Sequence, residues 1–214
     1  MIEFGEDLWV ADGPPVAAFG PIKLPTRMIV VKLTDGSLWI NSPVEISAEL
    51  TRSIAAFGEV RYLVSPTPMH DWRLPSWQRC FPDALVWKPR LEAPPAWLDD
   101  LDHVVFEGNL FIAEAEFFHV KSRTLIMTDF VQNYPRRRER PFLNLMTRIA
   151  GVQGVGVPLD IRWTFLQRRR ARASLRALLA WDFERLIVAH GDCVSEGAKP
   201  LVESAFRWLA PASS

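Results

Sequence analysis

Three short apolar runs in this chain each end on side chains that could bind a metal ion. They are VRYLVSPTPMHDW at 60–72, RTLIMTD at 123–129 and RLIVAHGD at 185–192, and they deliver His70, Asp71, Asp129 and His190. Runs of this length and composition are typical of buried β-strands. In α/β layers the carboxyl ends of the strands usually build the functional site. We therefore expect His70, Asp129 and His190 to converge, with Asp71 or Asp192 close by.

Imidazole and carboxylate groups define the chemistry that such a site would support. Two neutral histidines and a carboxylate, with one position open to water, suit Zn²⁺ and are also compatible with Fe²⁺ or Mn²⁺. A bound Zn²⁺ lowers the pKa of its water to about 7, which makes a hydrolytic nucleophile available. Asp192 could orient His190 or join it as a ligand. The alternative is a hydrogen-bonded polar cluster of the same side chains that holds no metal.

The elements that must position these residues are β-structure with interleaved helices. Asp-Gly at 35–36 between apolar runs predicts a hairpin, and residues 13–25, which contain four prolines, are predicted to form a loop. Ser47 has the N-cap side chain of a short helix that Gly58 ends. Further strands are predicted at 84–87, 103–107, 110–119, 123–130 and 186–189, and helices at 141–150, 168–181 and 197–209. With 214 residues and 49% hydrophobic composition, we expect one domain over residues 1–214.

The composition argues against several classes of function. The formal net charge is zero, with 25 basic and 25 acidic residues, so the total charge does not indicate a nucleic-acid partner. No apolar run approaches the roughly 20 residues of a transmembrane helix. The N-terminus lacks the basic start and apolar core of a signal peptide, so we expect a cytoplasmic location. Six of the nine tryptophans are predicted to be core residues because they lie in apolar stretches, namely Trp9, Trp39, Trp87, Trp163, Trp181 and Trp208.

The neutral total conceals a basic segment at residues 136–176. This segment contains 11 arginines and two acids, Glu139 and Asp160, so its balance is 11 − 2 = +9. One interpretation is a set of solvated helix faces that pair with acidic residues elsewhere, such as Asp99, Asp100 and Asp102. A second is a rim that attracts an anionic small-molecule substrate to the site. A third is peripheral contact with an anionic membrane, because PFLNLMTRIAGVQGVGVPL at 141–159 is partly apolar.

The order of these elements resembles a known family. A hairpin, a helix, a strand ending in a ligand turn, a later strand ending in Thr-Asp and a last strand ending in Ala-His-Gly are similar to the metallo-β-lactamase superfamily of metal-dependent hydrolases. Within it, SRTLIMTD at 122–129 and AHGD at 189–192 resemble the branch called DUF4336, a domain of unknown function. The resemblance implies an α/β fold, the metallo-β-lactamase-like αββα sandwich, over nearly the whole chain.

The metal-binding motif of that superfamily is only partly present. Its ligand turn reads Thr-His-x-His-x-Asp-His, and SPTPMHD at 65–71 places Pro66 and Pro68 where the first two histidines belong. The neighbourhood of the third histidine resembles Gly108-Asn109. The resemblance leaves one metal site of His70, Asp71, Asp129 and His190, and so implies a mononuclear metal-dependent hydrolase with little or no β-lactam hydrolysis. The alternative is a catalytically inactive binding or interaction protein without metal.

Overall fold

The described residues fall into two compact units. The computed structural model describes residues 1–19, 22–89, 91–92 and 95–210. The first unit is Met1–Asp102 with His119–Ser122, and the second is His103–Phe118 with Arg123–Ser214. One domain over 1–214 stays a prediction, and the units are described in turn.

The first unit contains a six-stranded sheet whose strands follow one another in chain order. They are β1 (Ile2–Gly5), β2 (Leu8–Phe19), β3 (Ile22–Lys32), β4 (Leu38–Asn41), β5 (Val60–Val64) and β6 (Leu85–Trp87). The strands β1 to β4 pair antiparallel, whereas β4, β5 and β6 pair parallel. Parallel strands need a crossover, and α1 (Ala48–Phe57) supplies it between β4 and β5, while α2 (Leu74–Cys80) lies between β5 and β6 in the chain. As predicted, the Ser47 hydroxyl caps this helix by accepting from the backbone N–H of Leu50.

The second unit is built on a four-stranded sheet of order β12-β9-β8-β7. Its strands are β7 (Leu101–Phe106), β8 (Glu114–His119), β9 (Thr124–Met127) and β12 (Arg185–Val188), and a separate pair is β10 (Gln132–Tyr134) with β11 (Gly154–Gly156). Its helices are α3 (Pro141–Ile149), α4 (Leu159–Thr164), α5 (Arg168–Leu179) and α6 (Ala198–Ala205). The ring of Phe130 lies 5.6 Å from Phe106 and 4.9 Å from Phe165, so aromatic packing fills the core directly behind the end of β9.

Residues 13–25 do not form the predicted loop, because β2 and β3 continue through most of them as a long antiparallel ribbon. The register shifts between Gly13 and Val16, which is where Pro14 and Pro15 lie. A bulge tolerates residues that cannot donate to the ladder, so the prolines interrupt the pairing without ending the strand. Gly20 and Pro21, which the loop prediction also included, lie outside the described residues.

Two further predictions need correction. The strand predicted at 110–119 begins only at Glu114, because the side chain of Asn109 ties the preceding backbone into a turn. Trp163 is not a core residue, since its side chain is 80% exposed. Trp39 and Trp87 are fully buried, and Trp9, Trp181 and Trp208 are partly buried against the cores, as predicted.

Candidate metal centre

Asp129 and His190 follow neighbouring parallel strands of the second unit. The strands β9 and β12 pair in register, with Met127 opposite Val188. Each candidate ligand lies two residues beyond its strand, so the register brings the two side chains together at one edge of the sheet. The Nε2 atom of His190 is 3.3 Å from Oδ1 of Asp129, and both side chains are 7% exposed. The sequence-based prediction that these two residues converge is therefore confirmed.

The geometry of this pair fits a transition metal. Two donor atoms that each lie about 2.1 Å from a Zn²⁺ ion are roughly 3 to 3.5 Å apart at near-tetrahedral angles. The observed separation of 3.3 Å falls in that range. Imidazole nitrogen and carboxylate oxygen are also ligands that Zn²⁺, Fe²⁺ and Mn²⁺ share. Asp129 and His190 could therefore hold two adjacent corners of one metal site.

A buried glutamate fixes the backbone that carries Asp129. The side chain of Glu114 on β8 is fully buried, and its Oε1 accepts from the backbone N–H of Thr128 at 2.7 Å and from the Thr128 hydroxyl at 2.8 Å. The N–H of Asp129 lies 3.0 Å from Oε1 and 3.1 Å from Oε2, and Oε2 also accepts from Phe130 at 2.8 Å. One carboxylate thus binds three consecutive backbone N–H groups, which locks the turn after β9.

The same carboxylate is electrostatically unusual. Burial first, and then the negative charge of Asp129, raise the pKa of Glu114 to about 7, while the hydrogen bonds from Thr128 and Phe130 act in the opposite direction. Glu116 lies two residues along the same strand and is also fully buried. Burial, followed by the charge of Glu114, raises the pKa of Glu116 well above its usual range. None of the backbone N–H groups of 128–130 donates to Glu116, so the two glutamates differ in structural role.

The segment after β12 is held by the backbone of Asn133. The N–H of Asn133 donates to the carbonyl of His190, and its own carbonyl accepts from the N–H of Asp192 at 2.8 Å. Gly191 between them has φ +103°, and a Cβ atom there would lie 1.9 Å from the Asn133 carbonyl oxygen. Only glycine fits such a close backbone approach. The AHGD motif therefore contains a residue that the backbone conformation requires.

Asp192 is engaged by an arginine. A terminal nitrogen of Arg137 lies 3.0 Å from one carboxylate oxygen of Asp192 and 2.8 Å from the other. The Asn133 side-chain amide also donates to the carbonyl of Asp192. These bonds hold the Arg137 guanidinium beside the segment that carries His190. Whether Asp192 orients His190 or binds the metal itself stays a prediction.

In the first unit, His70 lies on a 3₁₀ helix, Pro68–Arg73, that starts four residues beyond the end of β5. The Thr67 hydroxyl caps this helix by accepting from the N–H of Met69, and the Thr67 carbonyl accepts from the N–H of His70. Pro68 occupies the first turn, where a missing N–H costs nothing. Pro68 therefore stabilises the turn that presents His70.

Asp71 is split between two environments. Lys88 Nζ binds one of its oxygens, Oδ2. The other, Oδ1, is buried and has no hydrogen-bond partner among the described residues. That oxygen retains the capacity to accept a ligand.

The neighbourhood predicted for a third histidine contains an asparagine with a structural role. The Asn109 side-chain oxygen accepts from the N–H groups of Phe111 and Ile112, and its nitrogen donates to the Thr164 hydroxyl at 2.6 Å. The first two bonds shape the loop before β8, and the third holds that loop against the end of α4. His119, for which no ligand role was predicted, is buried in β8 with Nδ1 2.7 Å from the Ser122 hydroxyl.

Glu114 escaped the sequence-based prediction, and Arg137 was predicted only as one member of the basic segment 136–176. Glu114 has a weak signal, since EAEFFH at 114–119 places two charged glutamates inside an apolar strand and charged residues are rarely buried without partners. Within the basic segment no signal distinguishes Arg137 from the other ten arginines, and only the fold places it beside Asp192.

Solved structures of metallo-β-lactamases and flavoproteins resemble this chain over nearly its whole length. A fragment of diflavin flavoprotein A 5 from Nostoc sp. PCC 7120 has a TM-score of 0.65 at 10% identity, covering 97% of this chain and 95% of that chain. A metallo-β-lactamase from Pontibacter korlensis has a TM-score of 0.62 at 10% identity, with 96% and 97% covered. The DIM-1 metallo-β-lactamase has a TM-score of 0.62 at 13% identity, with 98% and 97% covered. The chain therefore has the metallo-β-lactamase fold, as predicted.

The predicted resemblance to DUF4336 is also confirmed. The model of this family, described as a domain of unknown function, matches residues 7–93. That range contains the turn with His70 and Asp71, but not the segments SRTLIMTD and AHGD on which the resemblance was first based. Among curated proteins, none matches this sequence. No helix among the described residues is long and apolar enough to span a membrane.

Proposed function

We propose that this protein is a mononuclear metal-dependent hydrolase whose metal is held by His70, Asp129 and His190. The observation that carries the proposal is the 3.3 Å separation of the Asp129 and His190 donor atoms at the ends of paired parallel strands. The fold supports the proposal, because similar solved structures include proteins named metallo-β-lactamases, which are metal-dependent enzymes.

His70 is the proposed third ligand because of its position in the chain. It follows the parallel strand β5, just as Asp129 and His190 follow β9 and β12. The capped 3₁₀ helix gives its backbone a defined conformation. Asp71, with one oxygen that accepts no hydrogen bond from the described residues, is the proposed fourth protein ligand or a partner of the metal's water. Both assignments follow the strand-end logic of α/β sites.

A bound Zn²⁺, Fe²⁺ or Mn²⁺ would supply Lewis-acid activation of water for hydrolysis. The residues of this chain orient the site. Glu114 fixes the backbone of Asp129, and the Asn133 backbone fixes the segment of His190. Arg137, paired with Asp192 but with its side chain still 42% exposed, gives this edge of the second unit a cationic group suited to carboxylate or phosphate. We propose that the substrate is an anionic small molecule.

One observation favours the alternative of a binding protein without metal. The Asp129 and His190 side chains are within hydrogen-bond distance of each other, so each satisfies the other in a buried position without an ion. Metal content separates the two possibilities directly.

The test is metal analysis of protein purified without chelator, together with calorimetric titration of chelator-treated protein with Zn²⁺, Fe²⁺ and Mn²⁺. We expect about one metal per chain, as one tetrahedral site requires. His190→Ala should abolish binding, and His103→Gln, a change to another histidine of the same unit, should preserve it. Folding of each variant is checked by circular dichroism. Absence of metal from the parent protein under all conditions would favour the binding protein.

His70→Gln tests the third ligand separately. A loss of affinity of at least about tenfold is expected, since changing a residue that only orients a ligand already costs about 10- to 100-fold. Unchanged affinity would remove His70 from the site while leaving the pair of Asp129 and His190 intact. Stoichiometric binding of two metals would show that a second metal site exists despite Pro66, Pro68 and Asn109, and efficient β-lactam hydrolysis would contradict the expected lack of that activity.

A further inference from the structure

The helix α3 turns its apolar side chains to the solvent. Phe142, Leu145 and Ile149 are spaced by three and four residues, so they share one face of the helix. These side chains are 75%, 53% and 59% exposed. Thr147 is the residue that α3 buries. A surface helix normally packs its apolar face on the core, whereas α3 exposes its apolar face to solvent.

The apolar surface continues from α3 onto α4. The backbone N–H of Leu159 donates to the carbonyl of Ala150 at 2.9 Å, so the start of α4 abuts the end of α3. A Cβ atom on Gly151 would lie 3.1 Å from the Leu159 side chain, which shows how closely the two ends approach. Trp163, one turn further along α4, is 80% exposed.

The loop before β8 extends the same surface at the other end of α4. The N–H of Leu110 donates to the carbonyl of Thr164, and Asn109 binds the Thr164 hydroxyl. These bonds place Leu110 and Phe111, which are both exposed, beside the end of α4. We call the resulting surface the apolar face, and its exposed members are Leu110, Phe111, Phe142, Leu145, Ile149, Leu159, Trp163 and Leu166.

Exposed arginines accompany the apolar face. Arg138, Arg140 and Arg148 flank or lie on α3, and Arg168, Arg169 and Arg170 start α5 just beyond Leu166. Within the part of the chain that the structure describes, Arg137 is the one arginine of residues 136–176 in an ion pair with a carboxylate. The predicted pairing of this segment with Asp99, Asp100 and Asp102 stays a prediction, and within the first unit Asp100 accepts two hydrogen bonds from Thr34.

We propose that the apolar face binds the surface of an anionic lipid bilayer. Exposed aromatic and aliphatic side chains beside a row of arginines match the requirements of an interfacial helix, which buries its apolar side among the acyl chains and places its cations at the headgroups. A second copy of this chain is a poor occupant, because it would bring two segments of charge +9 together. The rings of Phe142 and Trp163 are 75% and 80% exposed and protrude from the surface, so a fluid layer of acyl chains suits them better than a pocket of fixed shape. The inference is independent of metal binding.

Vesicle flotation with the full chain tests the proposal. We compare vesicles of phosphatidylcholine alone with vesicles containing about 30% phosphatidylglycerol, at about 0.05 M and about 0.5 M salt, because screening shortens the reach of surface charge. Binding to the anionic vesicles that weakens with salt, and little binding to the neutral ones, is expected. No binding to anionic vesicles, or equal binding to both kinds, would overturn the proposal.

Two sets of variants assign the effect to this face. Phe142→Ser with Trp163→Ser, and separately Arg138, Arg140 and Arg148→Gln, should each lower vesicle binding by at least about tenfold. The matched controls are Trp72→Ser, an exposed tryptophan of the first unit, and Arg52, Arg79 and Arg207→Gln, which remove the same charge elsewhere. Equal losses in the controls would contradict the assignment. The parent protein could instead form a dimer and bind no vesicles. If Phe142→Ser with Trp163→Ser then made it monomeric, the apolar face would bind a second copy of the chain, and the proposal would be overturned.

Discussion

Asp129 and His190 lie on segments whose conformation is fixed by buried contacts, whereas His70 lies on a turn whose neighbouring ion pairs are at the surface. The fully buried Glu114 accepts hydrogen bonds from the backbone of Asp129. Next to His190, Gly191 lies so close to the Asn133 carbonyl that only glycine fits. Around His70, by contrast, Asp71 pairs with a half-exposed Lys88. The comparison predicts that changes at Glu114 and Gly191 act through folding, and that changes near His70 act mainly on ligand chemistry.

The largest effect is expected from Gly191→Ala. The new Cβ would lie 1.9 Å from the Asn133 carbonyl oxygen at a φ of +103°, so the backbone must move. We expect a loss in free energy of unfolding of more than about 4 kcal/mol, or failure to fold. Chemical denaturation measures it. Gly197→Ala is the control, because Gly197 also has a positive φ but open space around it, and it should cost only about 1 kcal/mol.

A smaller but still large effect is expected from Glu114→Gln. An amide nitrogen would replace one of two oxygens that both accept from backbone N–H groups, so at least one of those donors would lose its acceptor. We expect a cost of about 2 to 4 kcal/mol and a weaker affinity for Zn²⁺, measured by denaturation and calorimetry. Glu116→Gln, the matched control, removes a buried carboxyl that holds none of these backbone groups. A cost as large as that of Glu114→Gln would show that burial, not the locked turn, accounts for the effect.

His119, the last residue of β8, is a buried titratable group for which no ligand role was predicted. Burial lowers the pKa of His119 from 6.5 to about 4, so the folded protein resists protonation of this imidazole. The unfolded chain binds the proton first as pH falls, so stability is fully present above pH 6.5 and is lost progressively towards pH 4. The difference in unfolding free energy between the parent and His119→Gln should shrink by up to about 3 kcal/mol across that window. A pH-independent difference would contradict the buried neutral imidazole.

The smallest effect is expected from Lys88→Gln. The Lys88 and Asp71 side chains are 46% and 33% exposed, so solvent screens their attraction. We expect a change of less than about 1 kcal/mol in the free energy of unfolding. Removal of the cation frees the second oxygen of Asp71, so metal affinity should be unchanged or higher. A stability loss as large as that of Glu114→Gln would remove the contrast between the two segments.

The positions of Asp129 and His190 could be predicted from the sequence alone. Both follow short apolar strands, and parallel strands that pair in register end at the same sheet edge, so local pattern and one rule of topology suffice. The sequence also shows directly that positions 66, 68 and 109 are occupied by proline, proline and asparagine, which have no imidazole. The fold followed from the same sequence patterns, because the order of elements matched one architecture.

Other features were decided only by tertiary structure. Glu114 reaches the turn at 128–130 because β8 and β9 are adjacent, and a pattern of residues does not specify which backbone groups a buried carboxylate will meet. Only the fold shows which arginine of the basic segment pairs with Asp192, namely Arg137. The helical spacing of Phe142, Leu145 and Ile149 determines that they share a face, but periodicity is the same whether that face is covered or not. Whether a core covers such a face depends on where the helix packs, and here it packs through Thr147 and leaves the apolar face exposed.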